Sequence, residues 1–178
     1  MTKLDRDWKF SLFLTDLGWM GMLGSEHGLR RVSIGNSNLA AAKASLCDSV
    51  EEPSSEEDWD PELRRRLKAF AIGTQDDFLD VRTDLQGFTK FQHQVLDKCR
   101  KIPFGSRLTY GRLAAKAGSP KAARAVGSVM ANNPIPLVIP CHRVVAANGL
   151  GGFSAPSGLR LKKRLLALEA GTMAGGDS

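Results

Sequence analysis

The chain has 178 residues, 42% of them hydrophobic, which is enough for one generous core or two small ones. Its three cysteines, at 47, 99 and 141, form no CxxC pair, and no short Cys/His spacing suggests a zinc site, which argues against a disulfide framework or a structural metal. The net charge of +6 is unevenly divided: residues 1–90 carry 12 Lys/Arg against 16 Asp/Glu, a net of −4, and residues 91–178 carry 13 against 3, a net of +10.

In chain order, WKFSLFL (8–14), WMGML (19–23) and LRRVSI (29–34), separated by LG and EHG turn signals, predict the strands of a meander. Residues 37–46 predict a helix, and SVEEPSSEEDWD (49–60) an acidic surface loop. ELRRRLKAF (62–70) reads as a helix and DFLDVRT (77–83) as a last strand. The style changes near residue 86. We therefore expect an α/β domain, a small antiparallel sheet with helices, over 1–85, a mainly α domain over 86–170, and a flexible tail at 171–178.

The second half begins with a helix over 88–100, in which Phe91, Val95 and Cys99 share a face, so Cys99 reads as a small core hydrophobe. Thr109 is placed to cap TYGRLAAKAG, which closes at Gly118, and Ser119-Pro120 to open a second helix, KAARAVGSVMANN. Two short helices joined by a tight turn are compatible with a helix-turn-helix, a weak signal alone. Ala122, Val126 and Val129 predict the inward stripe of the second helix, leaving Ala123, Arg124, Gly127 and Ser128 outside. That small outer face suits close approach to a groove with Arg124 projecting. It also suits tight helix packing with Arg124 as a solvated charge, which spacing alone slightly favours.

PIPLVIPCHRVV (134–145) is the densest segment. Pro134, Pro136 and Pro140 stiffen the approach to Cys141, and the apolar residues among them predict an anchor in the core. His142 is one of three histidines and supplies a base beside the thiol. Neighbouring side chains of an extended segment point oppositely, so a water or a turn is needed to connect the two. In SGLRLKKRLLALEA (157–170), Leu161, Leu165 and Leu168 predict a helix stripe with Glu169 at its edge. Glu169 is either a carboxylate drawn inward to orient His142 or a solvated helix residue.

PCHRVV at 140–145, preceded by AARAVG at 122–127 and Asn133-Pro134 and followed by Ser157-Gly-Leu and Leu166-Ala-Leu-Glu169, resembles the O6-alkylguanine-DNA alkyltransferases, also called methylated-DNA-protein cysteine methyltransferases. The resemblance covers residues 88–170; the first 85 residues match only the layout of the family's ribonuclease-like domain. It implies a repair protein that moves an alkyl group from O6 of guanine, and from O4-methylthymine, in double-stranded DNA onto Cys141, once and irreversibly. It further implies that His142 draws the thiol proton through a water, that Glu169 holds His142, and that Asn133 braces the turn before the site. Arg124 would fill the stack vacated by a flipped nucleotide, and Tyr110 would help rotate that nucleotide and contact the base.

The same resemblance places Ala123, Gly127 and Ser128 in the minor groove of DNA and Lys121 at a phosphate. The backbone at Cys141 and Val144, with the Ser154 N–H, would read the base. It also implies a winged-helix-like C-terminal domain. Ala131 stands where relatives often have a second basic residue, which shifts phosphate contacts toward Arg112, Lys116 and Lys121. GLGG (149–152) lacks the GxGxxG context, and His27, Cys47 and His93 make no convincing ligand set, so neither cofactor nor metal is expected. MTKLDRDWKF has charge where a secretion signal is apolar, and no run nears the roughly 18 apolar residues of a membrane span, so the expectation is a cytoplasmic monomer. Two rivals are a non-enzymatic damage sensor, which would lack the acceptor thiol, and a helix-turn-helix regulator, whose outer face should carry long polar side chains.

Overall fold

The computed structural model describes residues 7–47, the backbone of 55–56, and residues 58–171. Strands β1 (Lys9–Thr15), β2 (Gly18–Ser25) and β3 (Gly28–Asn36) form the expected antiparallel meander. The first hairpin is tight because Gly18 takes φ +94° and the Thr15 hydroxyl donates to the Gly18 carbonyl at 2.8 Å. Helix α1 (Leu39–Cys47) follows and packs Leu46 with Phe10 and Leu23 on one face of the sheet. A fourth strand, β4 (Ser55–Glu56), pairs parallel to β1 and gives the order β3-β2-β1-β4. The acidic segment expected to be all loop thus contributes a short edge strand; its residues 49–54 and 57 lie outside the described residues.

Helix α2 (Pro61–Phe70) starts where Asp60 accepts from the Leu63 N–H, and it buries Leu63, Leu67 and Phe70 at i, i+4 and i+7. The strand expected at 77–83 does not form: only Thr83 makes an isolated bridge, to Leu29. The physical reason is competition for the backbone. Asp76 and Asp77 accept from the N–H groups of Phe78 and Leu79, bending the chain, and Arg100 takes the carbonyls of Phe78, Leu79 and Val81. Arg66 then clamps Asp76 and Asp80 at 2.7 and 2.9 Å.

Helix α3 (Lys90–Arg100) opens with a capping box between Thr89 and Gln92. Strand β5 (Leu108–Thr109) leads into α4 (Tyr110–Lys116), capped by Thr109 as expected, and the chain leaves α4 through Gly118 at φ +79°. Helix α5 (Ala123–Ala131) begins later than the Ser119-Pro120 signal predicts. The Ser119 carbonyl closes a turn on the Ala122 N–H, so Ser119 and Pro120 build the turn between the helices and α5 has no side-chain cap. A parallel two-residue strand β6 (Val144–Val145) pairs with β5, and α6 (Gly158–Glu169) ends the described fold.

One apolar core joins the two halves. Phe13, Met20 and Val32 of the sheet cluster with Val95, Val126 and Ile135 of the later elements. The halves are also stitched at the backbone, where the Val32 N–H on the open edge of β3 donates to the Pro134 carbonyl at 2.9 Å. Among the described residues no helix is long and apolar enough to cross a membrane.

Candidate active site

The segment before Cys141 is a braced loop, not the extended lead-in that its prolines suggest. Asn133 holds it from both sides: its side-chain N–H₂ donates to the Ile139 carbonyl at 2.8 Å and its oxygen accepts from the Ile135 N–H at 3.1 Å. Leu137 takes φ +73°, and Ile135 and residues 137–139 are buried, so the loop is anchored as expected. Residues Cys141–Arg143 form one 3₁₀ turn, so the opposed directions of an extended segment do not apply to Cys141 and His142.

Behind the thiol lies a buried ionic cluster. His142 Nε2 is 2.6 Å from Glu169 Oε1, and both side chains are 1% exposed. The same carboxylate accepts from Arg143 Nε and a terminal guanidinium nitrogen at 3.0 and 2.9 Å, and from the Gly105 N–H at 3.0 Å. Arg143 also donates to the Ile102 carbonyl and lies over the Phe104 ring, whose neighbour Phe70 meets His142 edge-on. Burial opposes ionisation of Glu169, but the hydrogen bonds from His142 and Arg143 win and hold its pKa down at about 2. Burial lowers the His142 pKa despite the Glu169 bond, which favours the neutral ring. An ionised Glu169 can only accept, so Nε2 carries the proton and Nδ1 is a bare lone pair. Nδ1 has no hydrogen-bond partner among the described residues.

Cys141 is 7% exposed, and burial raises its thiol pKa. Working against burial are a hydrogen bond from Asn133, the charge of Lys162, and the backbone N–H groups of Cys141 and His142. The resting group is therefore a thiol surrounded by donors suited to the thiolate. Cys99 is fully buried with its pKa pushed well up by desolvation, the inert role its spacing predicts.

Cys141 opens into a cavity of ≈ 430 Å³ bordered by Tyr110, Gly127 and Met130 on the helix pair and by Gly152, Phe153 and Ser154 on the facing loop. The Ser154 hydroxyl donates to the Ala131 carbonyl at 2.8 Å and closes that loop against α5. The Tyr110 ring occupies the space beside Gly151, where a Cβ would lie 2.6 Å from its hydroxyl. Burial raises the Tyr110 pKa, keeping the phenol protonated. On α5, Val126 and Val129 are buried as the stripe predicts, Met130 is buried beside them and Ala122 is half-buried; Arg124 and Ser128 are exposed, and Ala123 and Gly127 half-buried. Lys121 is exposed in the turn before it. Val144 is buried; its N–H donates to the Cys141 carbonyl and its own carbonyl accepts from Lys162.

Two functional groups escaped the sequence reading. Lys162 is 0% exposed and donates to the carbonyls of Val144 at 2.7 Å and Gly152 at 3.0 Å, tying the loop after Cys141 to the loop facing it. Its nitrogen lies about 6 Å from the Tyr110 and Phe153 ring centres, and burial lowers its pKa to about 8. Arg143, the second, is fully paired within the Glu169 cluster. The available signal for Lys162 was its place two helical turns before Glu169, on the same face of α6. Nothing in the spacing singled out Arg143. Among the described residues no group of three or more His, Cys, Asp or Glu is placed to hold a metal.

A thiol held among N–H donors, a carboxylate-oriented imidazole with a bare nitrogen, and a cavity wall supplied by the α4–α5 pair define a cysteine-centred group-transfer protein. Residues 90–171 match the family described as the DNA-binding domain of 6-O-methylguanine DNA methyltransferase. The methylated-DNA–protein-cysteine methyltransferase of Methanosarcina acetivorans is 38% identical over 161 residues, 90% of this chain and 97% of the relative. The crystal structure of Mycobacterium tuberculosis OGT in complex with DNA superposes with a TM-score of 0.73 at 29% identity, covering 92% of this chain and 94% of that one. The O6-methylguanine-DNA methyltransferase of Pyrococcus kodakaraensis gives 0.73 at 30% identity, covering 90% and 98%. The chain belongs to the methylated-DNA–protein-cysteine methyltransferase family.

Proposed function

We propose that this chain repairs duplex DNA by displacing the alkyl group of O6-alkylguanine onto Cys141. The Cys141 sulfur attacks the O-bound carbon, the S–C bond forms as the C–O6 bond breaks, and the electron pair leaves on the guanine. His142 Nδ1 takes the thiol proton through a water, while Glu169 keeps the proton on Nε2 and Arg143 keeps Glu169 ionised. Tyr110, a protonated phenol on the cavity wall, donates toward the departing base. The observation that carries the reading is the buried Glu169–His142 contact at 2.6 Å, which leaves Nδ1 bare on the residue that follows the buried Cys141.

The DNA roles follow from α5. The exposed Arg124 enters the stack behind the flipped nucleotide, Ala123, Gly127 and Ser128 lie against the minor groove, and Lys121 meets a phosphate. Base reading falls to the backbone around Cys141 and Val144 and to the Ser154 N–H. A thioether does not reverse under these conditions, so each molecule reacts once. A pure damage sensor is disfavoured by the acceptor thiol, and a sequence-reading regulator by the short side chains on α5.

The layout supports a ribonuclease-like unit over 1–85 and a winged-helix-like unit over 86–170; we further infer that the chain acts as a cytoplasmic monomer. Of the proposed tail, 171–178, only Gly171 is among the described residues. The test is intact-mass measurement after incubation with duplex DNA bearing O6-methylguanine. One added methyl per chain, mapped to Cys141 and abolished by Cys141→Ala, is expected; methyl that stays on the DNA overturns the proposal.

A further inference from the structure

Cys141 borders a second cavity, ≈ 310 Å³, on the side away from Tyr110 and Gly127. The two share Cys141, Ala131, Phe153 and Ser154, so the thiol sits where they meet. The second cavity runs between the loop around Pro136 and the open edge of β3, with Arg31 and Ser33 on its N-terminal wall. Val32 bonds outward to Pro134, so the edge of the sheet is fixed against the active-site loop. Arg31 is half-buried and, among the described residues, held by one bond, from its guanidinium to the Ser45 carbonyl at 2.9 Å. No carboxylate among the described residues pairs with it, and none lines the cavity.

Substitution geometry says what this space receives. Sulfur and O6 must lie on opposite sides of the transferred carbon, so whatever else that carbon bears projects sideways from the S–C–O line. With the base on the helix side, the lateral space beside the thiol is the second cavity. Its volume is at the lower end of the range for small-ligand sites.

Building on the alkyl-transfer reading above, we propose that the Arg31 cavity receives the alkyl tail of the adduct and selects O6-alkylguanines whose tail ends in an anion, such as a carboxylate. The N-terminal sheet thereby sets adduct range. Arg31 is a specificity residue that touches the end of the tail and takes no part in the bond changes. Its spare N–H groups form a fork suited to a carboxylate, and a partly exposed pair of this kind discriminates charged from neutral tails by about fivefold.

The test uses three duplexes carrying O6-methylguanine, O6-carboxypropylguanine or its neutral isostere O6-carbamoylpropylguanine, and reads second-order transfer rates to the full-length chain. The carboxylate should react about fivefold faster than the amide, with the gap narrowing at high salt. Arg31→Gln should erase the carboxylate:amide ratio, Arg31→Lys should keep most of it, and Arg31→Glu should invert it. Because ratios are taken within one variant, a general loss of folding does not mimic the result. Equal carboxylate and amide rates in the unmodified protein, or a ratio indifferent to Arg31→Glu, overturn the proposal. Absence of transfer from O6-methylguanine itself would instead refute the alkyl-transfer reading.

Discussion

Replacing Glu169 by Gln tests the buried cluster as a unit. The carboxylate pKa falls from 4.5 to about 2 on folding, which corresponds to about 3 kcal/mol of stability at neutral pH. A depressed carboxylate contributes this fully above its unfolded pKa near 4.5 and loses it as pH falls toward 2. The substituted amide has nearly the same shape but no charge to offset Arg143, and its N–H₂ would face His142 Nε2. The ring would then accept at Nε2 and carry its proton on Nδ1, the wrong tautomer for a base. Urea unfolding of Glu169→Gln at pH 7 should show a loss of about 3 kcal/mol, shrinking as both proteins are taken below pH 4. Transfer from O6-methylguanine should slow about a hundredfold, the low end for losing a positioned base. A variant as stable as the parent at pH 7, or one that transfers at the parent rate, would refute the assigned roles of Glu169.

Lys162→Met probes the buried cation. The ammonium pKa drops from 10.5 to about 8 on folding, so between those values the unfolded chain binds more protons and stability of the parent rises with pH. The difference in stability between parent and Lys162→Met should therefore change across that window by about 3 kcal/mol; a constant difference would show that Lys162 does not titrate there. Arg124→Ala should slow repair of duplex DNA far more than reaction with free O6-benzylguanine, and equal losses would remove the base-flipping role. Gly151→Ala places a methyl 2.6 Å from the Tyr110 hydroxyl at a residue with φ +71°, so it should displace the tyrosine and lower transfer, whereas an unchanged rate would show that Tyr110 has room to move.

The elements legible in the sequence are those where one physical signal dominates. The strands around Phe13, Met20 and Val32 are short apolar runs set off by turn signals, and Thr109 announces the start of its helix. Residues 77–83 misled because their strand-forming side chains were read without Asp76 and Asp77, which take the backbone N–H groups, or Arg100, a distant residue that takes the carbonyls. Ser119-Pro120 carries a helix-start signal that the turn used first. At the site, Cys141, His142 and Glu169 could be linked by the edge position of one carboxylate. Arg143 and Lys162 could not be weighed in the same way, because a lone basic side chain looks solvated until tertiary packing places it at 0–3% exposure.

The core shared by the sheet and the later helices has an optical consequence. All three tryptophans, Trp8, Trp19 and Trp59, belong to the first half of the chain, and the only tyrosine, Tyr110, belongs to the second. Trp59 packs against that core from the first half and Tyr110 from the second, so indole emission and the phenol's near-ultraviolet signal report on both halves. Heat or denaturant should move both along a single curve, and a reaction at Cys141 that loosens the second side should be visible from the first.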